Sequence, residues 1–242
     1  METSENNEIL TIVIPVYNEG ENIRTAVDLI KRDVAVRFRV LVVYDTEADT
    51  TVPVVKEMQE AMDNVFSVRN KYGRGALNAI KTGLETADTK YVIVTMADLS
   101  DPPAVMNDMI RAAEERNADV VCGSRYMAGG RQIGGPVIKG LMSRTAGLTL
   151  CWFAGVPTHD ATNSFKLYRK SFLDEVTIES NGGFELGLEL VVKAHLAGRV
   201  IMEVPTSWHD RAEGESHFKI LAWLPNYLKW YFMAYLKLFG YR

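Results

Sequence analysis

Residues 9–23 read ILTIVIPVYNEGENI, an apolar run that ends in polar residues, among them Glu19. Residues 38–52, FRVLVVYDTEADTTV, repeat the arrangement, with Asp45 at the end of the apolar run. Strands that are buried on both faces of a parallel sheet are apolar almost throughout, and helices return the chain between them. The two stretches therefore predict an α/β protein whose parallel strands end in polar side chains at one edge of the sheet.

The same alternation of strand and helix extends through the first half of the chain, and right-handed crossovers make such a sheet doubly wound and Rossmann-like. Five strands are predicted, at Ile9–Val16, Phe38–Tyr44, Val65–Val68, Tyr91–Thr95 and Val120–Cys122. Four amphipathic helices are predicted between them, at Glu21–Val34, Thr51–Met62, Ala76–Thr86 and Ala104–Glu115. Beyond Gly129 the pattern predicts a helix, a strand, a helix and a strand, at Val137–Phe153, Ser164–Tyr168, Phe184–Ala197 and Val200–Val204.

The composition is that of an ordinary globular protein: 242 residues, 47% hydrophobic and 24% charged. The net charge of −4 argues against a nucleic-acid partner. Cys122 and Cys151 lack the spacing of a metal or redox site, which indicates free thiols. The first residues, METSENNEILT, resemble no secretory signal, and no apolar run approaches the roughly twenty residues of a membrane span. We therefore expect a cytoplasmic protein.

Polar or charged residues gather where the predicted strands end, and Glu19, Asp45, Lys71 and Asp98 are among them. Ligands of open parallel sheets bind at this edge. Acidic side chains there can accept hydrogen bonds from ribose hydroxyls and base N–H groups, so the edge predicts a nucleotide site. No G-x-G-x-x-G follows the first strand, and a nicotinamide cofactor is therefore not expected. For Glu19 alone, a helix-stabilising role at a helix N-terminus explains the residue equally well.

The segment MADLSDPP, residues 96–103, places Asp98 and Asp101 after the fourth predicted strand. Hard divalent cations prefer such oxygen ligands, so these carboxylates can hold a metal bound to a diphosphate. The alternative is an Asp-rich cap of the following helix.

Nine segments of the chain, in the same order, resemble those of family 2 glycosyltransferases of the GT-A fold. Within that family the resemblance is closer to the dolichyl- or polyprenyl-phosphate mannose or glucose synthases. The resemblance implies inverting transfer of a hexose from a nucleoside-diphosphate sugar, aided by Mg²⁺ or Mn²⁺. The segments are IPVYNEGENI (14–23), VVYDTEADTT (42–51), NKYGRGALNAIKTG (70–83), MADLSDPP (96–103), VCGSRY (121–126), TNSFKLYRK (162–170), GGFELGLELVVKA (182–194), VIMEVPTSW (200–208) and RAEGES (211–216).

For the nucleotide, the resemblance implies that Pro15, Tyr17 and Glu19 border the base and ribose, with Asp45 close by. Lys71 lies in the family's glycine-flanked loop, and its alternative role is that of a solvated loop lysine.

For the diphosphate, Ala97 and Asp98 match the end of the family's Asp-x-Asp motif, and Asp98 is its second acid. Arg211 and Ser216 match an Arg-x-x-Gly-x-Ser element that closes over the diphosphate in relatives.

For the acceptor, Arg125 and Arg144 resemble arginines that meet phosphate, which the planar guanidinium can bind with two parallel hydrogen bonds. Arg144 can instead be a charge on a helix surface. Glu189 matches a helix glutamate of the family. If the acceptor is a sugar hydroxyl, a general base is needed, and Asp160, Glu185 and Glu189 are the candidates. A polyprenyl phosphate is already an anionic nucleophile and needs no base.

Three positions depart from the family's pattern. Tyr44 stands where an acid pair usually begins, Met96 replaces the first acid of Asp-x-Asp, and His217 replaces a lysine. Methionine is not a ligand for Mg²⁺, so metal binding rests on Asp98, with Asp101 and the diphosphate as further ligands.

We therefore expect a hexosyltransferase that uses a GDP- or UDP-hexose and a polyprenyl or dolichyl phosphate. The first alternative is transfer to a saccharide hydroxyl, and the second is a non-catalytic protein that binds nucleotide sugars. Whether the chain forms a homo-oligomer stays open.

The chain is interpreted as a glycosyltransferase domain, residues 1–216, and a C-terminal tail, residues 217–242. The tail is rich in aromatic residues interrupted by lysines, which is typical of amphipathic helices at a membrane–water boundary. Pro225 is expected to start or kink a helix, giving two short helices. The tail thus predicts peripheral binding to the cytoplasmic face of a membrane, and its alternative is packing of the aromatic residues on the domain.

Overall fold

The structure is a computed structural model, and it describes residues 8–210 and 220–240. Its strands are β1 Leu10–Val16, β2 Phe38–Tyr44, β3 Val65–Arg69, β4 Tyr91–Val94, β5 Val120–Ser124, β6 Arg131–Ile133, β7 Lys166–Arg169, β8 Ile201–Pro205 and β9 Ser207–His209. Its α-helices are α1 Asn22–Asp33, α2 Thr51–Ala61, α3 Ala76–Thr86, α4 Val105–Arg116, α5 Val137–Thr149, α6 Lys170–Glu175, α7 Leu186–Leu196 and α8 Ile220–Met233. A π-helical turn, Leu150–Ala154, follows α5, and a 3-10 helix, Ala234–Phe239, follows α8.

Seven strands form one sheet in the order β3-β2-β1-β4-β7-β5-β8. Only β7 runs antiparallel to its neighbours, β4 and β5. The parallel register pairs Val16 with Tyr44, so the turns after β1 and β2 leave the sheet side by side. A second, two-stranded sheet pairs β6 with β9 in parallel. The predicted doubly wound α/β fold is therefore confirmed, with one antiparallel strand inserted.

Two apolar layers cover the two faces of the large sheet. One contains Ile12, Met58 and Met109 with neighbours from α1, α2 and α4. The other contains Val13 with residues of α3, α7 and α8. At Gly83 of α3, a Cβ atom would lie 2.2 Å from Cγ1 of Val13. Glycine therefore lets α3 approach β1 closely and brings its N-terminus to the carboxyl edge of the sheet.

The sequence pattern predicts every strand of the large sheet to within two residues, but it misses the short elements β6, α6 and β9. Three-residue strands carry too few positions for an alternation to be recognised. The expectation that a helix starts at Pro225 is wrong, because this residue lies inside α8, which continues to Met233. Packing of α8 on the domain offsets the hydrogen bond that proline cannot make.

The C-terminal residues pack on the domain, the alternative considered for the tail. Trp230 is 1% exposed, and its Nε1 donates to Oγ of Ser180 at 3.1 Å. The hydroxyl of Tyr231 donates to Oγ1 of Thr149 at 2.9 Å. Among the helices of residues 8–210 and 220–240, none has the length and apolar character that a bilayer crossing requires.

Candidate active site

The turn after β1 presents Tyr17 and Glu19 at the sheet edge. The amide of Asn18 donates to both carboxylate oxygens of Asp49 at 3.1 Å, and the amide of Glu19 donates to Oγ1 of Thr51 at 3.0 Å. Asn18 adopts a left-handed backbone, φ 55°, which asparagine tolerates better than most residues. The turn is thus fixed by the start of α2, and the Tyr17 side chain is left exposed, whereas Pro15 is buried in β1.

Asp45, after β2, holds the loop that contains Lys71. Its Oδ1 accepts from Nδ2 of Asn70 at 2.8 Å, and its Oδ2 accepts from the amide of Gly75 at 2.9 Å. Gly75 has φ 125°, a conformation that side-chain-bearing residues rarely adopt. Lys71 is exposed, and its amide donates to Oγ1 of Thr82 at 3.1 Å. The structure therefore brings Asp45 and the Lys71 loop together.

Tyr44, which stands where the family usually has an acid, is the last residue of β2. Its hydroxyl donates to Oε1 of Glu47 at 2.8 Å, and both burial and this hydrogen bond raise the pKa of the phenol. It is therefore a neutral side chain beside Asp45 at neutral pH.

The loop after β4 carries Asp98 in a half-buried position. Oδ1 of Asp98 accepts from the amide of Ser100 at 3.1 Å, and Leu99 between them has φ 55°. A left-handed leucine is uncommon, and such backbone strain concentrates at functional sites. Met96 packs against the apolar layer of α3 and α7, and Ala97 is buried.

Asp101 lies apart from this arrangement, in a buried polar pocket. Its Oδ1 accepts from Nδ2 of Asn163 at 3.4 Å and from Oγ1 of Thr206 at 3.3 Å. Burial raises the pKa of Asp101 to about 7, although Arg125 and the bond from Asn163 act in the opposite direction. A carboxyl that is partly protonated and bound to other side chains is a poor ligand for a hard cation.

A divalent metal therefore fits this edge only if most of its ligands come from a substrate. Within the described part of the chain, no group of three or more His, Cys, Asp or Glu side chains is arranged to hold a metal. Mg²⁺ is often bound by one or two carboxylates together with substrate phosphates, and Asp98 can supply one such carboxylate.

Arg125, after β5, forms a buried ion pair with Asp160. Its Nε lies 2.7 Å from Oδ2 and its Nη2 lies 2.9 Å from Oδ1, a bidentate arrangement. Nη2 also donates to Oγ of Ser143 on α5 at 2.9 Å. Burial lowers the pKa of the guanidinium, but the Asp160 carboxylate outweighs this effect and the pKa is raised overall. Arg125 thus fastens the loop of Asp160 to α5.

Arg144, also on α5, is exposed. At 100° per residue it lies about 20° around the helix axis from Val137 and about 60° from Leu141. Val137 is 83% exposed and Leu141 is 65% exposed. Arg144 therefore lies beside an exposed apolar stripe, whereas Ser143, its neighbour, faces Arg125.

Glu185 and Glu189 are fully buried and bind the loop before α7. Glu185 accepts from the amides of Gly182 at 2.8 Å and Gly183 at 2.6 Å. Glu189 accepts from the amides of Glu179 at 2.6 Å and Ser180 at 2.8 Å. Lys193 adds an ion pair to Glu189 at 2.8 Å. Both carboxylates shape a loop and have no exposed surface.

Arg211 and Ser216, and with them His217, lie outside the described residues. The strand that precedes them is bound to the Asp98 loop, because the amide of His209 in β9 donates to the carbonyl of Ser100 at 2.8 Å.

Sequence reasoning did not identify Asn70, Gly75, Asn163 and Thr206 as partners of the site. Gly75 carried a signal, since it lies in a glycine-flanked loop between a strand and a helix. Thr206 carried no such signal, since its hydrogen bond to Asp101 joins residues that are 105 positions apart in the sequence.

An open α/β sheet with charged side chains at the carboxyl edge of its parallel strands has the architecture of proteins that bind a ligand at that edge. The chain belongs to glycosyl transferase family 2, whose family profile matches residues 11–177, more than half of the 242 residues.

Two relatives extend the match beyond this range. Dolichol-phosphate mannosyltransferase of Pyrococcus furiosus is 27% identical over 215 residues, which are 87% of this chain and 59% of that protein. Polyprenol monophosphomannose synthase of Mycolicibacterium smegmatis is 27% identical over 230 residues, 88% of this chain and 85% of that protein. The chain thus spans less than two thirds of the Pyrococcus protein.

Two solved structures share the fold. A mannosyltransferase of Pyrobaculum calidifontis in complex with GDP-mannose and Mn²⁺ gives a TM-score of 0.63 at 16% identity, covering 95% of this chain and 64% of that one. Glucosyl-3-phosphoglycerate synthase of Mycobacterium tuberculosis, in complex with Mn²⁺, UDP and glucosyl-3-phosphoglycerate, gives a TM-score of 0.65 at 14% identity. This match covers 94% of this chain and 80% of that one. The expected GT-A fold is confirmed.

Proposed function

We propose that the protein is an inverting hexosyltransferase that moves a hexose from a nucleoside-diphosphate sugar to a polyprenyl phosphate. The observation that carries this proposal concerns the three candidate general bases, Asp160, Glu185 and Glu189. All three are 0% exposed, and each carboxylate is bound through both oxygens, to Arg125 or to backbone amides. A sugar hydroxyl needs a base within hydrogen-bond reach, whereas a phosphate monoester attacks without one. The arrangement therefore favours a phosphate acceptor.

The names of the two curated relatives agree with a lipid phosphate acceptor, since one is a dolichol-phosphate mannosyltransferase and the other a polyprenol monophosphomannose synthase. Mannose is for this reason the first donor sugar to test, with GDP-mannose as its nucleotide form.

The donor nucleotide is proposed to lie along the edge of β1, β2 and β4. Tyr17 and Glu19 would border the base and ribose beside Pro15, with Asp45 and Lys71 on the neighbouring loop. Asp98 would hold a Mg²⁺ or Mn²⁺ ion, which when bound neutralises charge on the diphosphate. Arg211 and Ser216 are proposed to contact the same diphosphate, in keeping with the bond from His209 to Ser100 that brings β9 to the Asp98 loop.

The acceptor phosphate is proposed to bind Arg144. Its guanidinium lies beside an exposed apolar stripe of α5, so one ligand with a charged head and an apolar chain can meet both. Arg125 contacts the same phosphate through Nη1, the nitrogen that donates a hydrogen bond to none of the described residues. Asp160 binds the opposite edge of the guanidinium, at Nε and Nη2. In the reaction an oxygen of the acceptor phosphate attacks the anomeric carbon, and the nucleoside diphosphate leaves with the bonding electrons. Catalysis then consists of positioning and charge neutralisation.

The membrane surface is proposed to meet an apolar surface formed by α5, the π-helical turn and the 3-10 helix. Trp152 is 65% exposed and Phe239 is 84% exposed, and the bonds of Tyr231 and Tyr235 to Thr149 hold the 3-10 helix against α5. Aromatic residues of this kind are favoured at membrane–water boundaries. Phe232, near the end of α8, extends this apolar surface, whose exposed side chains are Val137, Ile138, Leu141, Trp152, Phe153, Phe232, Leu238 and Phe239.

The proposal is tested by incubating the protein with radiolabelled GDP-mannose or UDP-glucose, Mn²⁺ and a defined polyprenyl phosphate in detergent. Label that enters the organic phase and is released by mild acid supports transfer to lipid phosphate. Label found only in added oligosaccharide would support the saccharide-hydroxyl alternative. Binding of a nucleotide sugar without any transfer would support a non-catalytic protein.

A further inference from the structure

A cavity of about 140 Å³ lies between the N-terminus of α3 and the loop before α7. Its walls include an aromatic ring, two asparagines, an arginine and glycine backbone, contributed by Trp223, Asn78, Asn181, Arg74, Gly75 and Gly183. A cavity of roughly 150 Å³ accommodates a benzene ring, so this one can admit a single six-membered ring. One apolar wall with a few polar groups is typical of a small-molecule site.

The cavity adjoins the edge proposed for the nucleotide. Gly75 lines the cavity, and its amide is the one that donates to Asp45 at 2.9 Å. A ligand that reaches from the carboxyl ends of the strands into the cavity therefore passes the N-terminal turn of α3. This contiguity favours the donor's own sugar as the occupant.

The aromatic wall comes from the C-terminal helix. A Cβ atom at Gly183 would lie 2.6 Å from the Trp223 ring, so only glycine lets the loop contact the indole so closely. Phe184 meets the same ring edge-on, with centroids 5.9 Å apart. Nδ2 of Asn226 donates to Oε1 of Glu185 at 3.4 Å, and Nζ of Lys229 donates to Oε2 of Glu179 at 3.1 Å. These bonds fasten α8 to the loop before α7, so the two form one continuous wall.

The polar groups match sugar hydroxyls. Nδ2 of Asn78 donates to the carbonyls of Tyr72 and Arg74, at 3.1 and 3.5 Å, which leaves its Oδ1 as an acceptor. Arg74 and Asn181 are exposed and add donors on both sides of the cavity mouth. A pyranose ring presents an apolar C–H face together with hydroxyls around its rim, which this combination complements.

We propose that this cavity binds the hexose ring of the donor, and that Trp223 of the C-terminal helix is a specificity-determining residue for it. The inference rests on the proposed transferase function and deepens it. On this basis α8 belongs to the sugar site, in addition to any part that the C-terminal residues have in contacting a membrane.

The test is isothermal titration calorimetry of the full chain with GDP-mannose, UDP-glucose, GDP and UDP in the presence of Mn²⁺. Trp223→Ala is expected to weaken binding of the preferred nucleotide sugar about tenfold, while the affinity for the corresponding nucleoside diphosphate is unchanged. Asn181→Ala, at an exposed position that cannot disturb the core, is expected to act in the same direction. Phe66→Ala removes an exposed aromatic side chain of β3 outside the cavity and should change neither affinity.

Each other outcome has a definite meaning. If the wild-type protein binds none of the four compounds, the proposed function fails and the inference fails with it. If it binds a nucleotide sugar and both cavity variants keep the wild-type ratio of the two affinities, the inference alone is wrong. If the variants keep the wild-type affinities in calorimetry and raise only the KM for the acceptor in the transfer assay, the cavity serves the acceptor and not the donor hexose.

Discussion

The amide of Gly75 donates a hydrogen bond to Oδ2 of Asp45, with 2.9 Å between nitrogen and oxygen. This bond joins the end of β2 to the first turn of α3. One carboxylate oxygen is therefore committed to the protein itself, and the other binds Asn70. We therefore propose that Asp45 acts on the nucleotide mainly through the position of the Lys71 loop, a role that sequence comparison alone does not reveal.

Replacement of Asp98 by alanine is expected to lower the rate of hexose transfer about 10²–10³-fold, the usual effect of removing one group that stabilises developing charge. Asp98→Asn should be nearly as inactive, although its side-chain oxygen can still accept from the amide of Ser100. Initial rates at saturating donor and Mn²⁺ measure the effect. Asp88→Asn changes an exposed carboxylate that pairs with Arg39 and is the matched control. Near-wild-type turnover of the Asp98→Ala variant would contradict the assignment of Asp98 to the site.

Arg144→Ala is expected to raise the KM for the polyprenyl phosphate about tenfold or more, because a hydrogen bond to a charged group contributes about 1.5–3 kcal/mol. The KM for the donor and the melting temperature should not change, since the side chain is exposed. Arg144→Lys should rescue little, because an ammonium group cannot form the bidentate contact. Lys139→Ala, on another side of α5, controls for a change in helix charge. Equal effects on both KM values would argue for a donor-side role.

Arg125 is expected to behave differently, because its partner Asp160 is completely buried. Arg125→Met should lower the free energy of unfolding by about 3–5 kcal/mol, the typical result of leaving a buried charge without its partner. The double variant Arg125→Met with Asp160→Asn removes that charge and should recover part of the loss. Urea unfolding of the two variants measures the difference. A stable Arg125→Met protein with only a raised acceptor KM would show that the ion pair has little structural role.

The sheet and its order of strands and helices were predictable, because burial on both faces leaves apolar runs and the polar residues that follow them then fall at one edge. The role of Asp101 was not predictable. Sequence spacing made it a possible metal ligand, whereas Asn163 and Thr206, 62 and 105 positions away, hold it in a buried pocket. Likewise, the side chain of Met96 fits an apolar layer that no local pattern reveals.

The tail illustrates the same limit. A stretch of aromatic residues with lysines suits a membrane surface and a protein core equally well at the level of sequence. Trp230 is buried and Phe239 is exposed, although both belong to the same pattern. Tertiary packing on α7 decides which of these residues meet solvent.

The buried carboxyl of Asp101 is expected to make stability depend on pH. Its pKa is about 7 in the folded protein against 3.8 for an ordinary aspartate, so between about pH 4 and 7 the folded state holds a proton that the unfolded state has lost. The free energy of unfolding should therefore fall as the pH rises through this window, by up to about 1.4 kcal/mol per pH unit from this group. Asp101→Asn, which can still accept from Asn163 and Thr206, should flatten that slope and be at least as stable as wild type above pH 7.

Urea unfolding at pH 4.5, 5.5, 6.5 and 7.5 measures the slope. Asp174→Asn at an exposed position should leave it unchanged. An identical slope for wild type and Asp101→Asn would contradict the assignment of the titration to Asp101.

Membrane contact through the apolar surface and packing of the tail on the domain are expected to respond to different changes in the chain. Trp152→Ser with Phe153→Ser is expected to reduce co-sedimentation with liposomes that contain anionic lipid, while the far-ultraviolet circular dichroism and the melting temperature stay close to wild type, because both side chains are more than 60% exposed. A chain ending at Ser216 should instead melt at a markedly lower temperature, since it loses the buried Trp230 and Ala234. The substitution Tyr72→Ser, at an exposed aromatic residue outside the apolar surface, is the control for general loss of hydrophobicity. One result would contradict this expectation: the double variant binds liposomes as well as wild type, while the shortened chain stays folded and does not bind. The tail would then be the membrane anchor, and the part of the apolar surface formed by α5 and the π-helical turn would not contribute to binding.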